Sequence, residues 1–189
     1  MSGLAYTVFA TAIGRCALVW RCGSIVGAAL PEPSDALMCE RLSRRFPDAV
    51  ESPPPPEISE AIDLVARSLQ GEDVDLSMLP LDLAASDPFE QKVYAAALAI
   101  PRGEVRTYGE LAAELGQPGA SRAVGAALGR NPIPIVVPCH RILAASGRSG
   151  GFSAPGGTAT KFRILAIEGA RRSSDSDLFE TLPLAVKPA

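Results

Sequence analysis

Cys139 and His140 are adjacent, and His140 is the only histidine among the 189 residues. Thiolate is the reactive form of cysteine, and a nearby imidazole or guanidinium lowers its pKa from about 8.5 into the working range. His140 and Arg141 are both candidates for that role, which would make Cys139 a nucleophile. The opposing reading is an inert thiol in a core, and for a bare Cys-His pair it is the commoner one. In an extended segment the two side chains would point to opposite sides, so a water would have to link them. The preceding run, Ile133-Pro134-Ile135-Val136-Val137-Pro138, is apolar, β-branched and pinned by prolines. It is expected to hold Cys139 at the end of a rigid, buried, extended strand, which is a preorganised place for chemistry.

The elements upstream suggest what that chemistry acts on. Asp87-Pro88-Phe89-Glu90 combines an N-cap acid, a proline at the first helical position and a glutamate at the third, predicting a helix to about Ile100. Thr107-Tyr108-Gly109-Glu110 is a second capping box, and Leu111 and Leu115 supply that helix's core face. Gly116 stops it, Gln117-Pro118-Gly119 turns the chain, and residues 120–129 form a short alanine-rich helix. Helix, tight turn, helix is the plan of a helix-turn-helix. On the last helix Val124, Ala127 and Leu128 face inward, while Arg122, Gly125, Ala126 and Gly129 share an outer face that is smooth except for one long cation. Glycine costs a helix up to about 1 kcal/mol relative to alanine, so something must approach that face closely. A nucleic-acid groove fits, and so does a second helix of the same protein. Arg130-Asn131-Pro132 then turns the chain toward Cys139.

The first half reads differently. Residues 6–9, 16–20 and 25–30 are short β-favouring runs separated by turn residues, predicting a small antiparallel meander. Ser34 can cap a helix reaching about Phe46. The prolines at 53–56 predict an extended surface connector. Ile58, Ile62, Val65 and Leu69 then mark one face of a helix ended by Gly71, and Val74, Leu76 and Met78 alternate briefly. The expected fold is α+β: an N-terminal α/β domain over residues 1–85, and a mainly helical domain over 86–170 holding the helix-turn-helix and a short active-site strand. A polar tail, 171–189, is expected to be disordered.

Composition sets outer bounds. With 47% hydrophobic and 21% charged residues the chain is ordinary for a soluble protein, and no run approaches the length of a membrane span. Four cysteines at irregular spacings imply neither disulfides nor a structural zinc, and suit a reducing, cytoplasmic compartment. The net charge of -3 argues at first against DNA. The average hides a division: residues 120–170 carry six basic residues against the single acid Glu168, while residues 1–119 sum to -8.

Five ordered blocks together resemble the O6-alkylguanine-DNA alkyltransferases, also called methylated-DNA-protein-cysteine methyltransferases. They are Gly103-Glu104-Val105-Arg106-Thr107-Tyr108-Gly109-Glu110; Ser121-Arg122-Ala123-Val124-Gly125; Arg130-Asn131-Pro132; Val137-Pro138-Cys139-His140-Arg141-Ile142; and Lys161 with Leu165 and Glu168-Gly169. The likeness covers roughly residues 86–170. It implies irreversible transfer of an alkyl group from O6 of a flipped guanine in double-stranded DNA to Cys139, one event per molecule and without a cofactor or metal. It further implies that Arg122 fills the vacated stack, that Tyr108 aids flipping and protonates guanine, and that Glu168 orients His140 to take the thiol proton through water. Ser121, Ala123, Gly125 and Ala126 would face DNA, with Asn131, Pro138, Arg141, Phe152 and Ser153 shaping the pocket. Phe152 stands where the family commonly has tyrosine, in a loop about two residues longer, so pocket shape is where this chain departs. The protein is expected to act as a monomer. A non-catalytic lesion binder would lack the cysteine; a helix-turn-helix regulator would need more polar side chains than residues 120–129 offer; a thiol hydrolase would leave the groove helix unexplained.

Overall fold

The computed structural model describes residues 3–145, 151–152 and 155–170. The tail, 171–189, and Ser153 lie outside the described residues. Three strands, β1 (Ala5–Thr11), β2 (Gly14–Arg21) and β3 (Ser24–Ala29), form the antiparallel meander, and β4 (Val50–Glu51) adds in parallel beside β1 to give the order β3-β2-β1-β4. The sheet buries both faces. Leu18, Trp20, Ile25 and Ala28 join the main core, whereas Ala17, Val19 and Ala29 pack on Met38 and Leu42 of α1 (Asp35–Arg45). Ser34 caps α1 by accepting from Leu37 N–H. The Phe46 ring at its end lies where a Cβ on Gly27 would stand, so β3 needs glycine there.

Helix α2 (Pro56–Leu69) begins one residue inside the proline run, with Pro56 at its first position. Proline at this place sacrifices no helical hydrogen bond, so the connector is shorter than its composition suggests. Val74, Leu76 and Met78 form no strand; Leu76 is buried and Met78 is 84% exposed. In the second half come α3 (Pro88–Leu98), β5 (Arg106–Thr107), α4 (Tyr108–Glu114), α5 (Ser121–Gly129), a 3-10 turn (Cys139–Arg141), β6 (Ile142–Leu143) and α6 (Gly157–Ile167). Both capping boxes close as sequence predicts, at Asp87 with Glu90 and at Thr107 with Glu110. Glu90 is used twice: its second carboxylate oxygen accepts from Arg130, tying the start of α3 to the end of α5. Tyr94 on α3 donates to the Ala127 carbonyl at 2.9 Å from the other side.

The run before Cys139 is buried but not extended. It folds into successive turns, with Val137 N–H donating to Ile133 carbonyl, Cys139 N–H to Val137 carbonyl, and Ile135 at φ 77°. Pro132, Pro134 and Pro138 offer no N–H to a ladder, which is why a β-branched run makes turns here. The short strand of this region, β6, follows the cysteine and pairs in parallel with β5. One continuous apolar cluster runs from Ile13 and Trp20 through Val65, Tyr94 and Leu111 to Val137, Cys139 and Ile164, so the two halves share a core. Among the described residues no helix is long and apolar enough to cross a membrane.

Candidate active site

Cys139 opens the 3-10 turn and is 8% exposed, at the lining of a cavity of about 430 Å3. Asn131 sets this turn. Its side-chain amide donates to the Val137 carbonyl at 2.9 Å and its oxygen accepts from Ile133 N–H at 2.9 Å. The Asn131 loop is in turn fastened to the first half, by Ala28 N–H on the Pro132 carbonyl at 2.9 Å and by Arg45 on the Asn131 carbonyl at 3.3 Å.

His140 is 1% exposed and is not among the residues lining that cavity; its Nε2 lies 3.0 Å from Glu168 Oε1. Glu168 caps the end of α6, and Arg141 grips both its oxygens, at 3.0 and 2.8 Å, while also donating to the Ile100 carbonyl at 2.6 Å. Against the cost of burial, His140 first and Arg141 second hold Glu168 ionised, with a pKa lowered to about 2. Burial drives His140 the other way, below its ordinary value, so the imidazole is neutral at pH 7. A neutral ring beside a carboxylate places its proton on Nε2, which leaves Nδ1 as an acceptor. That Nδ1 is buried and has no hydrogen-bond partner among the described residues. The nearby negative charge is thus balanced by Arg141, and the histidine keeps a lone pair for other use.

The thiol's own pKa is pushed up by burial, opposed by the Asn131 side chain, the charge of Lys161, and the backbone of Cys139 and His140. The His140 ring and the Arg141 guanidinium, which their adjacency makes candidates for lowering it, are both bonded to Glu168. Lys161, present among the family-like blocks of the sequence without a role assigned to it, is the cation at the thiol. It is fully buried on α6, donates to the Ile142 carbonyl, and lies 5.8 Å from the Tyr108 ring and 5.9 Å from the Phe152 ring. Burial lowers its pKa to about 8. The signal was present in sequence: Lys161 shares a helical face with Ile164 and Leu165, where a solvated lysine does not belong.

Tyr108, Ser121, Arg122, Gly125, Asn131, Cys139 and Phe152 all line the one cavity. Burial, and the nearby Cys139, raise Tyr108's pKa, so its phenol holds its proton. Gly125 lies beneath the Tyr108 ring, where a Cβ would make only ordinary contact at 3.7 Å. Arg122, Ala123 and Ala126 are exposed on α5. Pro138 and Arg141 are not at this cavity; they line another of about 280 Å3 with Asp73, Asp75 and Arg102. Sequence reasoning also assigned nothing from the first half, yet Ala28, Leu30, Arg41 and Arg45 line the Cys139 cavity.

The family model described as 6-O-methylguanine DNA methyltransferase, DNA binding domain, matches residues 88–170. The methylated-DNA-protein-cysteine methyltransferase of Mycobacterium tuberculosis is 44% identical over 129 residues, covering 68% of this chain and 76% of its own. The crystal structure of Mycobacterium tuberculosis OGT in complex with DNA superposes with a TM-score of 0.68 at 35% identity, covering 87% of this chain and 92% of that one. The O6-methylguanine-DNA methyltransferase of Pyrococcus kodakaraensis gives 0.67 at 30% identity, over 88% and 99%.

Proposed function

This chain belongs to the methylated-DNA-protein-cysteine methyltransferases, which makes it an enzyme that repairs DNA by moving an alkyl group to one of its own cysteines, and we propose that the acceptor is Cys139, served by His140, Glu168, Tyr108 and Lys161. The observation that carries the assignment is the buried Nδ1 of a neutral His140, without a hydrogen-bond partner among the described residues, next to a thiol that lines a cavity of about 430 Å3. Of the four cysteines, Cys16 is buried with its pKa raised to about 11, and Cys22 and Cys39 have no imidazole beside them.

The substrate is double-stranded DNA bearing an O6-alkylguanine. Helix α5 enters the groove, Arg122 takes the place of the base, and the guanine turns into the cavity under Phe152. Ser121, Ala123, Gly125 and Ala126 form the face that approaches DNA. The thiol proton passes through a bridging water to His140 Nδ1, and Glu168 steadies the imidazolium that results. Lys161 stabilises the thiolate. Sulfur then bonds the alkyl carbon as the carbon–O6 bond breaks, and the electron pair withdraws into guanine. Tyr108 gives guanine a proton and is reprotonated at the cost of the one His140 took. The net change moves the thiol proton to guanine and the alkyl group to sulfur. No step cleaves the thioether, so each molecule acts once. We place this work in the cytoplasm, where four free cysteines stay reduced, with the protein acting as a monomer.

The test is mass analysis of peptides after incubation with a duplex containing O6-methylguanine. The Cys139 peptide gains one methylene and unmodified guanine returns to the DNA in equal amount. Restored guanine with no mass gain at Cys139 removes the assignment.

A further inference from the structure

The cavity over Cys139 has a wall that the recognition helix does not supply. Arg41 and Arg45, one turn apart on α1, line it together with Arg122 of α5, and no carboxylate lines it among the described residues. This is unexpected in a stretch, residues 1–119, whose formal charge is -8. Of the neighbouring cations of α1, Arg44 pairs with Glu40 along the helix, and Arg41 gives one of its guanidinium nitrogens to Glu32 at 3.0 Å while still lining the cavity. Arg45 has no carboxylate within 4.0 Å among the described residues; it donates to the Asn131 carbonyl and lies 5.5 Å over the Phe46 ring. Burial and the charge of Arg41 both act against its protonated form, so nothing on α1 compensates that charge. A guanidinium carries five N–H donors, and one bond to a carbonyl leaves most of them for an incoming anion. Basic residues in a last turn also offset the helix dipole. That accounts for Arg44 and Arg45 being basic, but not for two arginines aimed at the acceptor cavity.

We propose that α1 is a second DNA contact, in which Arg45, with Arg41 beside it, binds a backbone phosphate of the lesion-bearing strand next to the nucleotide that enters the cavity. The inference rests on the reading above, that a flipped nucleotide enters there. Phosphate matches the planar fork of a guanidinium, and a flipped nucleotide brings its phosphates to the cavity mouth. The first half of the chain then does more than complete the core: it grips the strand at the cavity, while its remaining acidic surface repels the duplex elsewhere and limits the orientations in which DNA docks.

The experiment uses the full chain. Binding to an O6-methylguanine duplex is measured over a range of salt in a Cys139→Ser background, for the parent, Arg45→Gln, Arg45→Lys and Arg41→Gln. Arg45→Gln is expected to weaken binding about tenfold and to reduce the slope of log K against log salt by about 0.9, the loss of one phosphate contact on B-DNA; Arg45→Lys recovers the slope. In the Cys139 protein, the Arg45→Gln loss of transfer from the duplex exceeds its loss of transfer from free O6-methylguanine base, which has no phosphate, by about the same tenfold. Slopes unchanged by both Arg45→Gln and Arg41→Gln overturn the proposal. So does an equal loss on duplex and free base, which would make Arg45 only a fastening for the Asn131 loop. Parent protein that neither binds the lesion duplex nor transfers from it overturns the underlying reading instead.

Discussion

Glu168 answers to two neighbours, a cation that must be neutralised and an imidazole that must stay neutral. Burial keeps His140 neutral, opposed by Glu168 and aided in small part by the charge of Arg141, so the ring is steadied by the carboxylate without being protonated at rest. The consequences at this scale are measurable. Glu168 has a folded pKa of about 2 against an ordinary 4.5, so its stabilisation is complete above pH 4.5 and is lost as the pH falls toward 2. Glu168→Gln leaves the part-buried Arg141 without its counter-ion, and chemical denaturation is expected to show a loss of about 3 kcal/mol at pH 7 that shrinks as acid is added. His140 is held below its ordinary value and Lys161 loses its charge at about 8, so single-turnover transfer should fall on the acid side of 6.5 as the imidazole protonates and again on the alkaline side of about 8. An acid-side fall centred above pH 7 would mean that the imidazole is not the base. Tyr108→Phe removes the phenolic proton while keeping the ring over Gly125; transfer is expected to slow by about 100-fold, with duplex affinity changed much less. These roles were only half visible in sequence. Adjacency suggests that His140 and Arg141 act on the thiol, and the family resemblance pairs His140 with Glu168; the structure instead bonds Arg141 to Glu168 and brings the charge of Lys161 to the thiol, and adjacency in a chain carries no information about such long-range partners.

At the scale of elements, what was legible was local. The capping boxes at Asp87 and Thr107 and the stop at Gly116 are settled by residues within one turn of each other, and the helices start and stop there. The run 133–138 makes turns rather than the expected strand because β-branched residues favour strands only where a partner strand can be paired, and Pro134 and Pro138 within it, with Pro132 before it, prevent that. Gly125 is informative on α5. The fold itself has room for a methyl group there, and alanine is the better helix former. Gly125→Ala should therefore raise thermal stability, by up to about 1 kcal/mol, while slowing transfer from duplex, because the added methyl narrows the entry between α5 and Tyr108. A variant that gains stability at no cost to transfer would show that the small face of α5 serves packing alone.

Over the whole molecule the two halves share one apolar core. Leu18, Trp20 and Val65 of the first half are buried against Tyr94, Leu111 and Ile133 of the second, and the loop that sets Cys139 is fastened from β3 and α1. A fragment of residues 86–170 would expose that apolar face, and its circular dichroism melt is expected to lack the cooperative transition of the full chain. Sequence showed two compositionally distinct halves but not their common core, since burial against a distant segment leaves no periodic trace that names the partner. The single acceptor makes the whole molecule its own stoichiometric reagent, and that is the claim most open to measurement. Excess O6-methylguanine duplex is mixed with a known amount of protein, and repaired guanine and Cys139-peptide mass are followed together. One guanine is restored per molecule and the reaction stops with Cys139 fully methylated; continued repair beyond one equivalent, or repair that leaves Cys139 unmodified, contradicts it.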